Sequence, residues 1–172
     1  MRRTAVARIT AVAAVLALAA AAGGCGVYSA SSGRVDQSIQ RVAVEYLENR
    51  TAEPDLGITL ADLLIVALQE DNTLKVVDYE SADSVIEGSV IRYALRQASI
   101  SQEQQVDEYQ VQIAVELTFR VKATGETVFQ RKRFAGTGNY LLGEGSANEL
   151  TAREEAMAEI TRDVLAEVVE DW

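Results

Sequence analysis

The chain contains no histidine and a single cysteine among its 172 residues. Without an imidazole, no Ser-His-Asp or Cys-His nucleophile can be assembled. With one thiol and no histidine, zinc and transition-metal sites built on Cys and His are excluded too. An intramolecular disulfide needs two cysteines, so stability has to come from a packed core. Basic charge is also scarce: 16 Lys and Arg stand against 26 Asp and Glu, for a net charge of −10. Residues 1–24 hold Arg2, Arg3 and Arg8 and no acid, so the remainder carries −13. Such a surface disfavours nucleic acid, whose phosphates are bound by Lys and Arg with release of counterions. It equally disfavours a polybasic membrane-surface role. These absences predict a non-enzyme with no metal and no cofactor, in one domain with an appendage.

The appendage is the amino terminus. Met1 to Arg8 is basic, and Ile9 to Ala22 is an apolar run rich in Ala, Val and Leu. As a helix, such a run rises only about 21 Å, short of a bilayer core of about 30 Å. Its flanks are those of a secretory signal peptide. The run ends in Ala22-Gly23-Gly24-Cys25, which resembles the lipobox of bacterial lipoproteins. That resemblance implies cleavage between Gly24 and Cys25, a diacylglyceryl thioether on Cys25 and acylation of the new amino terminus. Several acyl chains hold a protein to a membrane, whereas one gives only marginal binding. Gly26 stands where an Asp would signal inner-membrane retention, so the expected location is the periplasmic leaflet of the outer membrane. The expected organisation is a signal peptide over 1–24, a lipidated tether over 25–36, and one periplasmic domain over 37–172. Ser29, Ser31, Ser32 and Gly33 suit the tether to flexibility.

The domain reads as alternating local periodicities. Val42, Val44 and Tyr46 predict a strand over 39–47, followed by a turn at Glu48-Asn49-Arg50-Thr51. Thr59 and Asp62 have capping-box spacing. Leu60, Leu63, Leu64, Ala67 and Leu68 then form an apolar helical stripe that stops near Asp71-Asn72. Residues 74–79 form a short strand, able to lie parallel to the first. A strand over 85–100 sets Ile91, Tyr93 and Leu95 on one face and Arg92, Ala94 and Arg96 on the other. Residues 109–121 alternate most cleanly, apolar at odd and mostly polar at even positions. Thr124-Gly125-Glu126 turns the chain into a strand over 127–137. Gly136, Gly138, Gly143 and Gly145 read as a loop, and Ser146 with Glu149 as a second capping box. A final helix then carries Met157, Ile160, Thr161, Val164, Leu165, Val168 and Trp172 on one side. Apolar-faced helices and an apolar-faced sheet predict an α+β two-layer sandwich. Two helices pack on one face of a mixed, largely antiparallel sheet of about four strands, in the order β-α-β-β-β-β-α.

The charges divide unevenly between these layers. Residues 144–172 hold nine acids and two bases, read as a solvated helix surface, while residues 87–133 hold seven bases and six acids. The candidate partner or anionic-lipid surface is therefore the polar sheet face: Arg92, Arg96, Arg120, Arg131 and Arg133, with Gln110 and Gln112. Lys122 would join them. Arg suits phosphate better than Lys does. The scattered tyrosines read mainly as core, and the Gly-rich stretch lacks the Lys-Ser/Thr of a phosphate loop.

With these residues placed, the chain resembles the LPS-assembly lipoprotein (LptE) family. The likeness runs through Cys25-Gly26 with Tyr28, Val42-Ala43-Val44 leading to Glu48-Asn49-Arg50-Thr51 and Pro54, and Leu74-Lys75-Val76-Val77-Asp78. It continues in Ala82-Asp83, Ile86-Glu87-Gly88 and Glu108-Tyr109-Gln110. The resemblance implies a domain that partners and plugs a large outer-membrane β-barrel (LptD-like) and helps deliver lipopolysaccharide to the outer leaflet. Family members that bind lipopolysaccharide use basic loop residues. Residues 101–105 and 139–145 carry none here, so no such residue is carried over. The first half also resembles curli-secretion (CsgG-like) and penicillin-binding-protein-activator lipoproteins, which continue with further βα units. This alternative implies a secretion or cell-wall interaction module.

Overall fold

Local alternation and helical stripes become nine elements in the computed structural model, which describes residues 39–100, 106–141 and 148–169. The chain divides into two units, residues 1–32 and 33–172, and everything below belongs to the second. In order come β1 (Arg41–Val44), β2 (Glu48–Asn49), α1 (Leu56–Asp71), β3 (Lys75–Val76) and a 3-10 turn (Tyr79–Ser81). β4 (Ser84–Ile100), β5 (Val106–Val121), β6 (Thr127–Leu141) and α2 (Glu149–Val169) follow. The strands form one six-stranded mixed sheet, ordered β3-β1-β4-β5-β6 with β2 also against β4. β1 runs parallel to both β3 and β4, and β4, β5 and β6 are antiparallel. The α+β class stands, with more strands than anticipated.

The additional strand is β2, within the stretch expected to be a turn. Val44 pairs with Ile86 and Glu48 with Ser89, so this side of the ladder holds one residue more than β4. An extra residue inverts the side-chain parity. Tyr46, which continues the Val42–Val44 alternation, is therefore 74% exposed, and Leu47 turns into the core. The turn comes next, with the Asn49 carboxamide accepting from the N–H and hydroxyl of Thr51.

α1 starts at Leu56, three residues before the expected Thr59. Asp55 adopts the left-handed conformation (φ 62°) and makes no side-chain cap. Thr59 instead donates its hydroxyl to the Asp55 carbonyl at 2.9 Å. The early start follows from packing, because it adds Leu56 to the buried i, i+4 stripe of Leu60, Leu64 and Leu68. At the carboxyl end Asn72 is left-handed and donates to the Leu68 carbonyl, an αL stop. α2 is capped by the Asn148 carboxamide, which accepts the Thr151 N–H at 3.1 Å. Ser146, Gly143, Gly145 and Trp172 lie outside the described residues.

Val111, Ile113, Val115, Leu117 and Phe119 of β5 are buried, and they share one core cluster with the apolar stripes of α1 and α2. Gly136 and Gly138, expected in a loop, are residues of β6 paired with Ile113 and Val111. A Cβ at either would collide with the carbonyl oxygen of Ala156 or Ala152 in α2. The glycines let a helix rest directly on strand backbone, a close approach that in sequence looks like a loop. β4 departs from simple alternation too. A register shift at Val90/Arg92 makes Ile91 the extra residue, so Ile86 and Val90 face the core before it and Tyr93 after it. Ile91 thus does not form the expected row with Tyr93 and Leu95.

Candidate interaction face

Cross-strand partners share a face, so the β4–β5–β6 register locates the candidate residues. Arg92 pairs with Ala114, Ala94 with Gln112 and Arg96 with Gln110. Across β5, Glu116 pairs with Arg133, Gln112 with Thr137 and Gln110 with Asn139. Arg120 lies between Val85 and Thr127. These even positions of β5 alternate with the odd ones that bury beneath the helices. Arg131 occupies a bulge in β6 with φ 49°. Its N–H donates to the Thr118 hydroxyl at 3.1 Å, and its guanidinium reaches Glu116 at 3.4 Å. All seven singled-out residues therefore belong to the sheet face that the helices leave open.

Their electrostatics split that face in two. At the β1–β2 end the charges compensate one another. Arg120 holds Glu87 at 3.2 Å and approaches the Tyr79 hydroxyl at 3.5 Å, and the Glu87 hydrogen bond above all raises its pKa. Arg41 grips both oxygens of Asp83, at 2.7 and 3.2 Å. This keeps the Asp83 carboxyl below its ordinary range, helped by the Gln40 and Arg41 N–H groups. Arg50 does the same for Glu48 at 2.7 Å. Lys122 lies 4.1 Å from the centre of the Tyr79 ring and donates to its carbonyl. A shallow cavity of about 450 Å³ at this end includes Glu45, Glu48, Glu87 and Glu116 in its wall, with Arg50 and Arg131.

The other end is different. Arg92, Arg96 and Arg133 are exposed and form no ion pair among the described residues. Between them runs a chain of side-chain amides: Gln112 donates to Gln110 at 2.7 Å, and Gln110 donates to Asn139 at 3.1 Å. Ala94, Ala114 and Ala135 keep this part flat. The cationic excess is thus concentrated in three arginines, while Arg120, Arg131 and Lys122 are already engaged.

The acids of α2 do more than solvate a surface. Glu149 accepts from the Tyr93 hydroxyl, Glu159 accepts the Thr137 N–H at 2.8 Å, and Glu167 pairs with Lys132. Arg153 binds Glu53 at 2.6 Å. Burial and the Glu149 hydrogen bond push the Tyr93 pKa well above its ordinary value. Tyr93, Glu149, Arg153 and Glu53 surround a cavity of about 220 Å³, a cluster that no sequence spacing signalled. Of the other tyrosines, Tyr109 and Tyr140 stack at 5.6 Å, while Tyr46 and Tyr79 are exposed. Among the described residues, no group of His, Cys, Asp and Glu is placed to hold a metal. None of their helices is long and apolar enough to cross a membrane. Gly24 and Cys25 lie outside the described residues.

The lipopolysaccharide-assembly (LptE) family model matches residues 39–171. The chain belongs to that family. No curated protein matches the sequence. Among solved structures, a hypothetical protein from Chlamydia trachomatis is 11% identical, covers 76% of this chain and 98% of its own, and has a TM-score of 0.56. A minor lipoprotein from Acinetobacter baumannii is 13% identical over 76% and 90%, with a TM-score of 0.51. The rare lipoprotein B from Shewanella oneidensis is 18% identical over 74% and 83%, with a TM-score of 0.39. The first two likenesses show the fold.

Proposed function

We propose that this lipopolysaccharide-assembly protein is anchored by acyl chains on Cys25 in the periplasmic leaflet of the outer membrane. There it partners and plugs an LptD-like β-barrel and assists lipopolysaccharide transport to the outer leaflet. Family membership supports the process, and the Ala22-Gly23-Gly24-Cys25 stretch supports the anchor. The observation that carries the docking surface is the row of Arg92, Arg96 and Arg133, without ion pairs among the described residues, beside the Gln112–Gln110–Asn139 amides. The helices spend their apolar faces on the core, whereas this face offers donors and positive charge. Barrel lumens are hydrophilic, and lipid phosphates pair well with guanidinium groups, so one surface serves either contact.

The test is affinity purification from membranes. Replacing Arg92 and Arg133 together by Gln should reduce the co-purifying barrel strongly, since truncating one partner of a desolvated hydrogen-bonded charge pair costs about 2–5 kcal/mol. The melting temperature should barely move, because neither side chain has an ion-pair partner to lose among the described residues. Reversal of Glu154 and Glu155, exposed on α2, should leave the barrel in place. Loss of the barrel from the helix variant, with retention by the sheet variant, would refute this docking face.

A further inference from the structure

Among the described residues, the sheet has free edges at β3, at β6 and along the part of β4 that lies beyond β2. An unpaired strand edge is a template for another chain, and folded proteins blunt it with short strands, bulges or charges. Two of the three edges are blunted. β3 has two residues and leads into the 3-10 turn. β6 carries the left-handed bulge at Arg131, and its Thr137 N–H is occupied by the Glu159 carboxylate. The β4 edge has bulges at Ile91 and Ala98, but between them it is an unbroken run whose two charges, Arg92 and Arg96, are of one sign. Its pairing with the preceding segment ends where Arg50 donates to the Val90 carbonyl at 3.0 Å. From Arg92 to Gln97, β4 pairs with β5 on one side, and among the described residues no element pairs with the other.

At about 3.4 Å per residue, that open stretch offers about 20 Å of ladder, the length of an ordinary strand. Alternate residues of an antiparallel strand direct both backbone groups away from the existing partner, so donors and acceptors line this edge. Beside it stand Arg92 and Arg96, four residues apart on one face, each without a carboxylate among the described residues. We propose that an extended segment of the barrel partner adds to this edge as a further strand, carrying Asp or Glu at two positions four residues apart to meet the arginines. The inference rests on the barrel partnership above and names its point of attachment. Backbone pairing supplies the affinity and the two ion pairs set the register.

Hydrogen–deuterium exchange on the full lipoprotein, free and in the barrel complex extracted from membranes, tests this. Face docking alone leaves edge amides open, whereas strand addition slows exchange of alternate amides between Arg92 and Gln97 by at least about tenfold. Reversal of Arg92 and Arg96 together should abolish that slowing. If the barrel co-purifies but these amides exchange as in the free protein, the added strand is refuted and the partnership stands. If they are already slow in the free protein, the chain covers its own edge and the proposal fails. If no barrel co-purifies, the partnership fails and this inference with it.

Discussion

Gly136→Ala and Gly138→Ala should destabilise the domain, although glycine inside a strand is ordinarily the poorer residue. Replacing glycine by alanine where the backbone permits stabilises by about 0.4–1 kcal/mol through the unfolded chain. Here the added methyl meets the backbone carbonyls of Ala156 and Ala152, which cannot rotate aside like a flexible side chain. α2 would have to lift by about 1 Å, and a gap of that size forfeits a quarter to a half of each dispersion contact. The contacts at stake are those of Ala152, Ala156, Met157 and Ile160, all buried. Overpacking of this kind costs about 1–3 kcal/mol, so each variant should lose about 1–2 kcal/mol net of the entropic gain. The double variant should lose less than the sum, because both methyls lift the same helix. Urea unfolding of residues 34–172 measures this, with the midpoint falling and the slope unchanged. Gly125→Ala should lose stability for a different reason: its φ is +70° with nothing within 4 Å of the new methyl, so only the left-handed strain of about 1–2 kcal/mol applies. If Gly136→Ala or Gly138→Ala is neutral or stabilising, α2 does not rest on the β6 backbone and the packing argument is wrong.

Three further outcomes are expected. Leu117→Asp, at a fully buried position of β5, should abolish cooperative unfolding, since an unpaired core charge costs several kcal/mol; a melting curve like that of the wild type would reverse the face assignment. Tyr93→Phe should cost about 1 kcal/mol, a charge-assisted hydrogen bond discounted for partial exposure. The folded state raises the Tyr93 pKa, so its stabilisation is complete below about pH 10 and is lost as pH rises above that. The variant should weaken that alkaline decline, and an unchanged alkaline slope would refute the assignment. Mass spectrometry of membrane-extracted protein should find an acylated Cys25 as the first residue, and Cys25→Ser should release the protein from the membrane fraction; an intact Gly24–Cys25 bond would contradict the anchor.

Whatever depends on neighbours along the chain was legible in the sequence. The β5 alternation, the Leu60–Leu64–Leu68 stripe, the stop at Asn72 and the Gly125 turn each need only a few consecutive residues. They suffice for the α+β class and for placing Arg92, Arg96, Gln110 and Gln112 opposite the core. The features that escaped all depend on two distant segments meeting. β2 exists because Ser89 and Val90 offer it a ladder, and the bulges at Ile91 and Arg131 are defined only against β5. Gly136 and Gly138 have a purpose only once α2 lies on them. Which arginines remain free was likewise a tertiary matter. Arg120 is neutralised by a carboxylate 33 residues away, whereas Arg92, Arg96 and Arg133 find none among the described residues. Side-chain periodicity is local and survives reading one residue at a time, but register, close approach and charge pairing arise only when the folded chain brings distant residues within contact distance.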